Sequence, residues 1–494
     1  MRTTPIKVLI SIILCEVLLV GYSFFYNATG NQFIKDHIRF YSPDKLFDFS
    51  SSNSNLIADS MLQMYLANTV NDDAILKRAN LSKIGPKKQN LFLINPEIGD
   101  SDGKSGGKAL DNFFKALLEE KDTAVVRIAH YGDSQLEGDR MTCVVREKFH
   151  EKFGGSGIGY VPMKDIPPVS YIRKSSGNWA RYTVFHNRNH ERNYGLSGSS
   201  FRFYNYYVKQ NDDGQGDSLS PHTETHAGSY HSASVSLKMN RSYKYNDVSF
   251  LYGNNNENCI VNIYNAGTNE IIKTDTLQPC KNICLHRTAI GSVLNVKVEF
   301  IGNQSPDFYG MYFDDKSGVQ VDNYAIRGHS GDGLLLINDG QLKQMLDLTN
   351  TKLVIFQYGA NVVPCIHSDK VCEAVGDIYY RLFLKFKAAA PDISILVIGA
   401  GDMATGADGE YASYKWLPKI NEMQKNAALK AGCAYWDLFN MMGGANSILV
   451  WAEKNMAVTN GHFSAKGQNV VANEIVEALM IEYNNYIHRK KIIN

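Results

Sequence analysis

The chain has almost no net charge. It carries 51 Lys and Arg against 50 Asp and Glu, a formal +1 over 494 residues. A nucleic-acid partner needs a basic face to meet its phosphates, so this balance leaves no electrostatic argument for one. Metal and redox spacings are also missing. Cys280-Lys-Asn-Ile-Cys284 is neither a CxxC pair nor part of a zinc set, which leaves open a local disulfide or two unrelated thiols. Of the eight Cys, Cys15 lies in an N-terminal apolar run, and the other seven are odd in number, so at least one stays unpaired within a monomer. The segment Phe153 to Tyr160 holds four glycines in the six positions 154–159, but no Gly-Lys-Ser/Thr follows it. That argues against a phosphate loop and for a flexible exit loop. Aromatics, by contrast, are plentiful. The 28 Tyr and 23 Phe suit a β-rich, carbohydrate-facing protein.

At the N-terminus, Arg2 and Lys7 precede an apolar run from Val8 to Phe25. Basic residues before such a run mark residues 1–26 as a signal-anchor or signal peptide, with no small-x-small cleavage site after it. Glu16 within the run is costly in a bilayer and keeps cleavage or a partner helix open. The expectation is a membrane-anchored chain on the periplasmic side of the cell envelope, or a secreted one if the segment is cleaved. Residues 27–120 form a juxtamembrane stretch with a short helix at Leu56 to Leu66 and a Gly/Ser/Asp loop at 99–107. Leu110, Phe113, Phe114, Leu117 and Leu118 then fall at helical spacing, predicting an amphipathic helix.

That helix delivers the chain to the stretch on which the rest is organised. Val125-Val-Arg-Ile-Ala-His-Tyr reads as a buried strand, and Gly132-Asp-Ser134 turns out of it into a helical pattern running to about Phe153. A strand that ends in such a turn lifts a small polar side chain above the sheet edge and leaves backbone N–H groups to face an anion. Ser134 is therefore the candidate nucleophile. The plain alternative is a turn tripeptide, since these residues dominate turns. Gly99-Asp100-Ser101 repeats the tripeptide with no strand before it and reads as loop.

From about 164 to 323 short alternating segments separated by Asn/Gly/Asp/Ser turns predict an antiparallel β-sandwich or jelly roll. Before and after it the texture is α/β. Strands are expected at 352–358, 393–399 and 434–439, helices at 372–389 and 417–431, and a last helix from Ser464 to about Ile487. The reading is a doubly wound parallel sheet over 121–163 and 324–494, with 164–323 inserted. Three further segments sit at its strand ends: Ser330-Gly331-Asp332, Gly359-Ala360-Asn361, and Thr459-Asn460-Gly461-His462 before the last helix.

Taken in order, Ser134, Gly331, Asn361 and His462 resemble the four blocks of the SGNH/GDSL hydrolase superfamily, which has a flavodoxin-like sheet. The likeness extends to the bacterial O-acetylpeptidoglycan esterases, which carry a carbohydrate-module-like β-domain after the first block. Met441-Met-Gly-Gly through Trp451 also looks like a Met-Gly-Gly…Trp stretch of those proteins. The resemblance implies Ser134 as nucleophile and His462 as base. It also implies an oxyanion held by the Ser134 and Gly331 N–H groups and the Asn361 amide, with no metal or cofactor. One departure stands out. The family places Asp three residues before the His, and here that position is Thr459. Another carboxylate such as Asp437 (otherwise a helix cap or turn), a backbone carbonyl, a slower dyad or an inactive site are the readings this leaves. Asp133 is structural in the family, and lone His130 and His329 read as core or loop. The implied activity is removal of O-acetyl groups from a glycan such as peptidoglycan. The alternatives are an O-acetyltransferase working beside a membrane-bound O-acyltransferase, and a catalytically weakened glycan-binding protein.

Overall fold

The computed structural model describes residues 93–99, 105–189, 191–204, 231–239, 244–291, 293–407 and 410–493. The apolar run 8–25, the helix expected at 56–66 and Ser101 lie outside the described residues. Among those described, no helix is long and apolar enough to cross a membrane.

A six-stranded sheet organises the α/β part, in the order Leu93–Ile94, Ala434–Trp436, Ser394–Ile398, Thr351–Gln357, Val125–Gly132, Gly318–Ala325. The last five are parallel, and the two-residue Leu93–Ile94 edge strand is antiparallel to its neighbour. Val125–Gly132 is buried at every position, as a strand covered on both faces should be. Its side chains alternate. Val126 and Ile128 join Leu353, Ile355, Leu396 and Ile398 in one core layer, while Ala129 and Tyr131 join Val354, Phe356, Ile395 and Val397 in the other. Helices Asp111–Glu119, Thr142–Phe153 and Ala465–Ile493 cover the first layer, and Asp339–Leu348, Asp369–Ala389 and Leu417–Lys430 the second. The stripe expected on the first helix is seen at Phe113, Phe114 and Leu117, whereas Leu118 turns outward at 42% exposure.

The strand order carries the functional consequence. From Val125–Gly132 the chain moves to one side for Gly318–Ala325, then crosses to the other for Thr351–Gln357 and continues outward. The reversal opens a crevice at the carboxyl ends of Val125–Gly132 and Thr351–Gln357, where α/β sheets bind ligands.

The antiparallel strands form two sheets. One runs Cys280–Ala289, Asp247–Asn255, Asp307–Asp314, Ser199–Phe203, Trp179–Thr183, with Gly157–Val161 also paired to Asp307–Asp314. The other runs Glu270–Leu277, Cys259–Asn265, Asn295–Gly302, His231–Met239, Tyr171–Ser175. Between them lie Trp179, Phe250, Phe300, Phe308 and Val298, all buried. Two details differ from the sequence reading. Gly318–Ala325 belongs to the parallel sheet, so the antiparallel strands end at Asp314 rather than near 323. The glycine segment is not a flexible loop but leads directly into a strand. At Gly157, with φ +94, a Cβ would lie 2.1 Å from the Phe313 carbonyl, so the residue is Gly because two backbones meet there. The Cys280–Cys284 pair forms a disulfide, which settles the alternative left open above.

A charge cluster and a tyrosine cluster join the two sets of strands. Arg127, on the sheet strand, bonds Asp314 of the antiparallel strands at 2.6 Å and Asp322 of the neighbouring sheet strand at 3.0 Å, all three nearly fully buried. Burial alone would lower the Arg127 pKa, but the two carboxylates reverse this and leave it raised. Asp322 also accepts the Tyr160 N–H at 2.9 Å. Tyr131, Tyr160, Tyr312 and Tyr324 pack around this point, buried. These tyrosines fill a junction and are not a carbohydrate-facing surface. Removing the cation strands two buried carboxylates. Arg127→Met is expected to destabilise the fold by about 3–5 kcal/mol, read as a lower urea midpoint. A midpoint within error of wild type would show that the cluster is not needed.

Candidate active site

Ser134 stands just past the end of its strand. Leu136 N–H donates to the Asp133 carbonyl to close a turn, and Gln135 N–H donates to the Asp133 carboxylate at 2.9 Å. Next comes the short helical turn Glu137–Asp139, before the long helix starts at Thr142. The strand–turn–helix reading holds, with an extra turn between.

Across the crevice, His462 lies in the loop ahead of the last helix. Its Nε2 is 2.9 Å from Ser134 Oγ, although 328 residues separate the two in sequence. The loop is braced from below: buried Trp451 donates to the Met442 carbonyl at 3.0 Å, and its ring packs on Phe463 with centroids 5.4 Å apart. Met442 and Trp451 belong to the Met-Gly-Gly…Trp stretch singled out in the sequence. Gln135 ties this loop to the Ser134 turn. Its amide donates to the Gly461 carbonyl at 2.6 Å and its carbonyl oxygen accepts from Phe463 N–H at 3.3 Å.

Gly331 sits at φ +94, at the start of the short helix Asp332–Leu336. A Cβ there would press on the Tyr358 ring at 2.9 Å, so both conformation and space demand glycine. Among the described residues, neither the Ser134 nor the Gly331 backbone N–H donates to another protein group. Asn361 extends from the turn after Thr351–Gln357. Its amide nitrogen donates to Asp133 at 2.9 Å and to the His329 carbonyl at 3.2 Å. Ser134 and His462 thus meet, and Asn361 is held between Asp133, next to Ser134, and the carbonyl of His329, two residues before Gly331. Buried Asp133 has its pKa pushed up to about 6 by that burial.

The position of the usual acid is where the structure adds most. No hydrogen bond joins the Thr459 side chain to His462 among the described residues; the Thr459 carbonyl accepts from Ala404 N–H at 2.8 Å. Asp437 caps the helix Leu438–Met442 by accepting from Asn440 N–H at 2.9 Å, the plain role weighed for it. The group at His462 Nδ1 is Asn460, whose Oδ1 lies 3.0 Å away. Sequence reasoning passed over Asn460, although its place two residues before the His could have flagged it.

Burial lowers the His462 pKa below 6.5, and Arg140 and Arg327 lower it further against Glu137. Arg140 also donates to the Ser134 carbonyl at 2.7 Å, and Arg327 pairs with Glu137. The ring is therefore a free base near neutrality, able to accept a hydroxyl proton. His130 and His329 are buried, with pKa values lowered to about 4 by burial. His130 meets Gln357 at 3.1 Å and His329 accepts from Gly333 N–H at 3.1 Å, which are core and loop roles. Among the described residues, no cluster of His, Cys, Asp or Glu could hold a metal.

Because Gln135 is the clip between the two halves of the site, Gln135→Leu is expected to lower kcat on a small acetyl ester about 10-fold with KM little changed. Unchanged kcat would mean the His462 loop is held adequately by Trp451 alone.

Residues 296–470 match the GDSL-like Lipase/Acylhydrolase family, a span that holds Gly331, Asn361 and His462 and starts after Ser134. No curated protein matches the chain. Among solved structures, a peptidoglycan O-acetylesterase is similar at 19% identity over 79% of this chain and 99% of that one, with a TM-score of 0.58, which shows a shared fold. An acetyl xylan esterase (15% identity, 32% of this chain and 81% of that one, TM-score 0.26) is far more remote. So is a family two carbohydrate esterase from Clostridium thermocellum (10%, 51% and 93%, TM-score 0.24). The family match fits a sheet whose reversal point carries a serine and a histidine in contact: over residues 296–470 the chain carries a GDSL-like lipase/acylhydrolase region, and the arrangement is that of a hydrolase acting on ester bonds.

Proposed function

We propose that the chain removes O-acetyl groups from an acetylated envelope glycan, peptidoglycan first among them, by acyl-enzyme chemistry. The observation that carries the reading is the 2.9 Å contact between Ser134 Oγ and His462 Nε2 at the crevice where the sheet order reverses. In this mechanism His462 takes the Ser134 proton as Oγ attacks the ester carbonyl. The tetrahedral oxyanion is met by the N–H groups of Ser134 and Gly331 and by Asn361 Nδ2, which gives up its longer contact, to the His329 carbonyl, to do so. The intermediate collapses to acetyl-Ser134, and the imidazolium returns its proton to the departing glycan oxygen. Water then attacks the acyl carbonyl, His462 takes its proton, and acetate leaves as Ser134 regains hydrogen.

Two observations support the glycan. The protein of similar fold is a peptidoglycan O-acetylesterase, and the likeness covers 79% of this chain. An apolar run at residues 8–25 behind basic residues also suits a protein exported to the envelope, where that polymer lies. Under this reading the antiparallel strands position the polymer, and residues of the parallel sheet perform the chemistry.

Ser134→Ala is expected to reduce acetate release from O-acetylated peptidoglycan roughly 10⁴-fold or more, as loss of the nucleophile does in triad enzymes. A folded Ser134→Ala chain that keeps its activity refutes the nucleophile. Faster release from acetylated xylan than from peptidoglycan refutes the substrate.

A further inference from the structure

We infer that Asn460, an uncharged residue, sets the tautomer and orientation of the His462 ring, so that this esterase works without a carboxylate as its third member. The inference rests on the reading of Ser134 and His462 as nucleophile and base.

For His462 to take the Ser134 proton, Nε2 must be bare, so in the neutral ring Nδ1 carries the hydrogen and needs an acceptor. An asparagine is ordinarily a poor choice. It can present its NH₂ instead of its oxygen, forcing the ring into the other tautomer, which is why replacing a triad Asp by Asn is so damaging. Here the backbone removes that freedom. The amide atom 3.0 Å from His462 Nδ1 also lies 3.2 Å from the backbone N–H of His462. A backbone N–H can only donate, so the atom it meets is the Asn460 oxygen, and Asn and His assignments follow from such networks. That oxygen then accepts from Nδ1–H, and Nε2 faces Ser134 Oγ with its lone pair.

The carboxylates around the site are occupied elsewhere. Asp437 caps its own helix, and Asp402 is bonded by Ser413, Ser447 and Ile448 N–H. Asp133 holds Asn361 and the Gln135 N–H, and Glu137 pairs with Arg327. The charged groups that act on the ring are Arg140 and Glu137 from the turn after Ser134 and Arg327 from the segment before Gly331. The two guanidiniums oppose protonation of the imidazole, and an uncharged Asn460 does nothing to offset them. The ring stays a free base into mildly acidic conditions, while the transition state gains orientation from Asn460 but no compensating charge.

The test uses the full chain and a small alkyl acetate, whose leaving group needs the proton from the imidazolium. The variants are Asn460→Ala, Asn460→Asp and Ser134→Ala, with kcat and KM measured between about pH 5 and pH 9. Asn460→Ala is expected to lower kcat about 100-fold with KM within a factor of about 3, since orientation is lost but binding is not. Asn460→Asp, isosteric and able to keep both hydrogen bonds, is expected to raise kcat about 10-fold over wild type and to move the acid limb of kcat up by about one pH unit, because a carboxylate beside the ring favours its protonated form. Asp133, pushed up to about 6, titrates on the same limb in every variant, so the readout is the shift between variants. An Asn460→Ala kcat within about 3-fold of wild type, in protein with unchanged melting, overturns the inference. So does an unmoved acid limb in Asn460→Asp, a readout that stands even if the alanine variant fails to fold. Retained activity in Ser134→Ala refutes the underlying assignment instead, whatever the Asn460 variants do.

Discussion

The reversal of strand order beside Val125–Gly132 is the constraint on which the rest of the structure depends. A parallel sheet needs a crossover after every strand, and the first crossover here leaves in one direction while the later ones leave in the other. Helices therefore diverge at one point only, and the strand ends there are left uncovered. Ser134 and Asn361 follow two neighbouring strands, His462 comes from the loop ahead of the last helix, and the three meet at that opening. The buried alternation along the sheet exists to hold these loop ends at fixed separations.

A long β-excursion between the first and second strands of such a sheet would tend to swing as an independent body. The junction is built against this. Arg127 points from the strand that leads to Ser134 and bonds carboxylates on both sides of the joint, and four buried tyrosines fill the space around them. Buried ion pairs are weak sources of net stability but strict about geometry. Their presence at the foot of the strand that carries Ser134 suits a joint whose purpose is register. The crevice and the antiparallel strands are thereby held on one scaffold, which is the arrangement a polymer substrate needs.

Under the proposed reading, the basicity of His462 is set largely by burial and by neighbouring cations. Burial and two arginines depress the His462 pKa, and among the described residues no carboxylate is hydrogen-bonded to Nδ1. Orientation comes from short local contacts: Asn460 to the ring, Gln135 to the loop on either side of it, Trp451 beneath it. The catalytic loop is thus a compact unit of side chain–backbone bonds in which tautomer and position are decided together.

Much of this was legible in the sequence. The run Val125 to Gly132 announced a strand buried on both faces, because apolar residues fill both alternating sets. The ordered blocks at Ser134, Gly331, Asn361 and His462 marked strand ends that must come together, and the odd residue at 459 marked a site lacking its usual acid. What tertiary structure alone decided are matters of register and direction. Gly318–Ala325 reads like its antiparallel neighbours and became part of the parallel sheet because its pairing partner, distant in sequence, is Val125–Gly132. The glycines at 154–159 read as a flexible loop, yet Gly155 and Gly157 mark close approaches to the Val319 and Phe313 backbones, which composition cannot distinguish. Which side chain answers His462 Nδ1 depends on a loop conformation in which one backbone N–H and one ring nitrogen converge on the same amide oxygen. No pattern of residue types encodes that convergence, because it depends on two contacts of 3.0 and 3.2 Å that only the folded loop brings about.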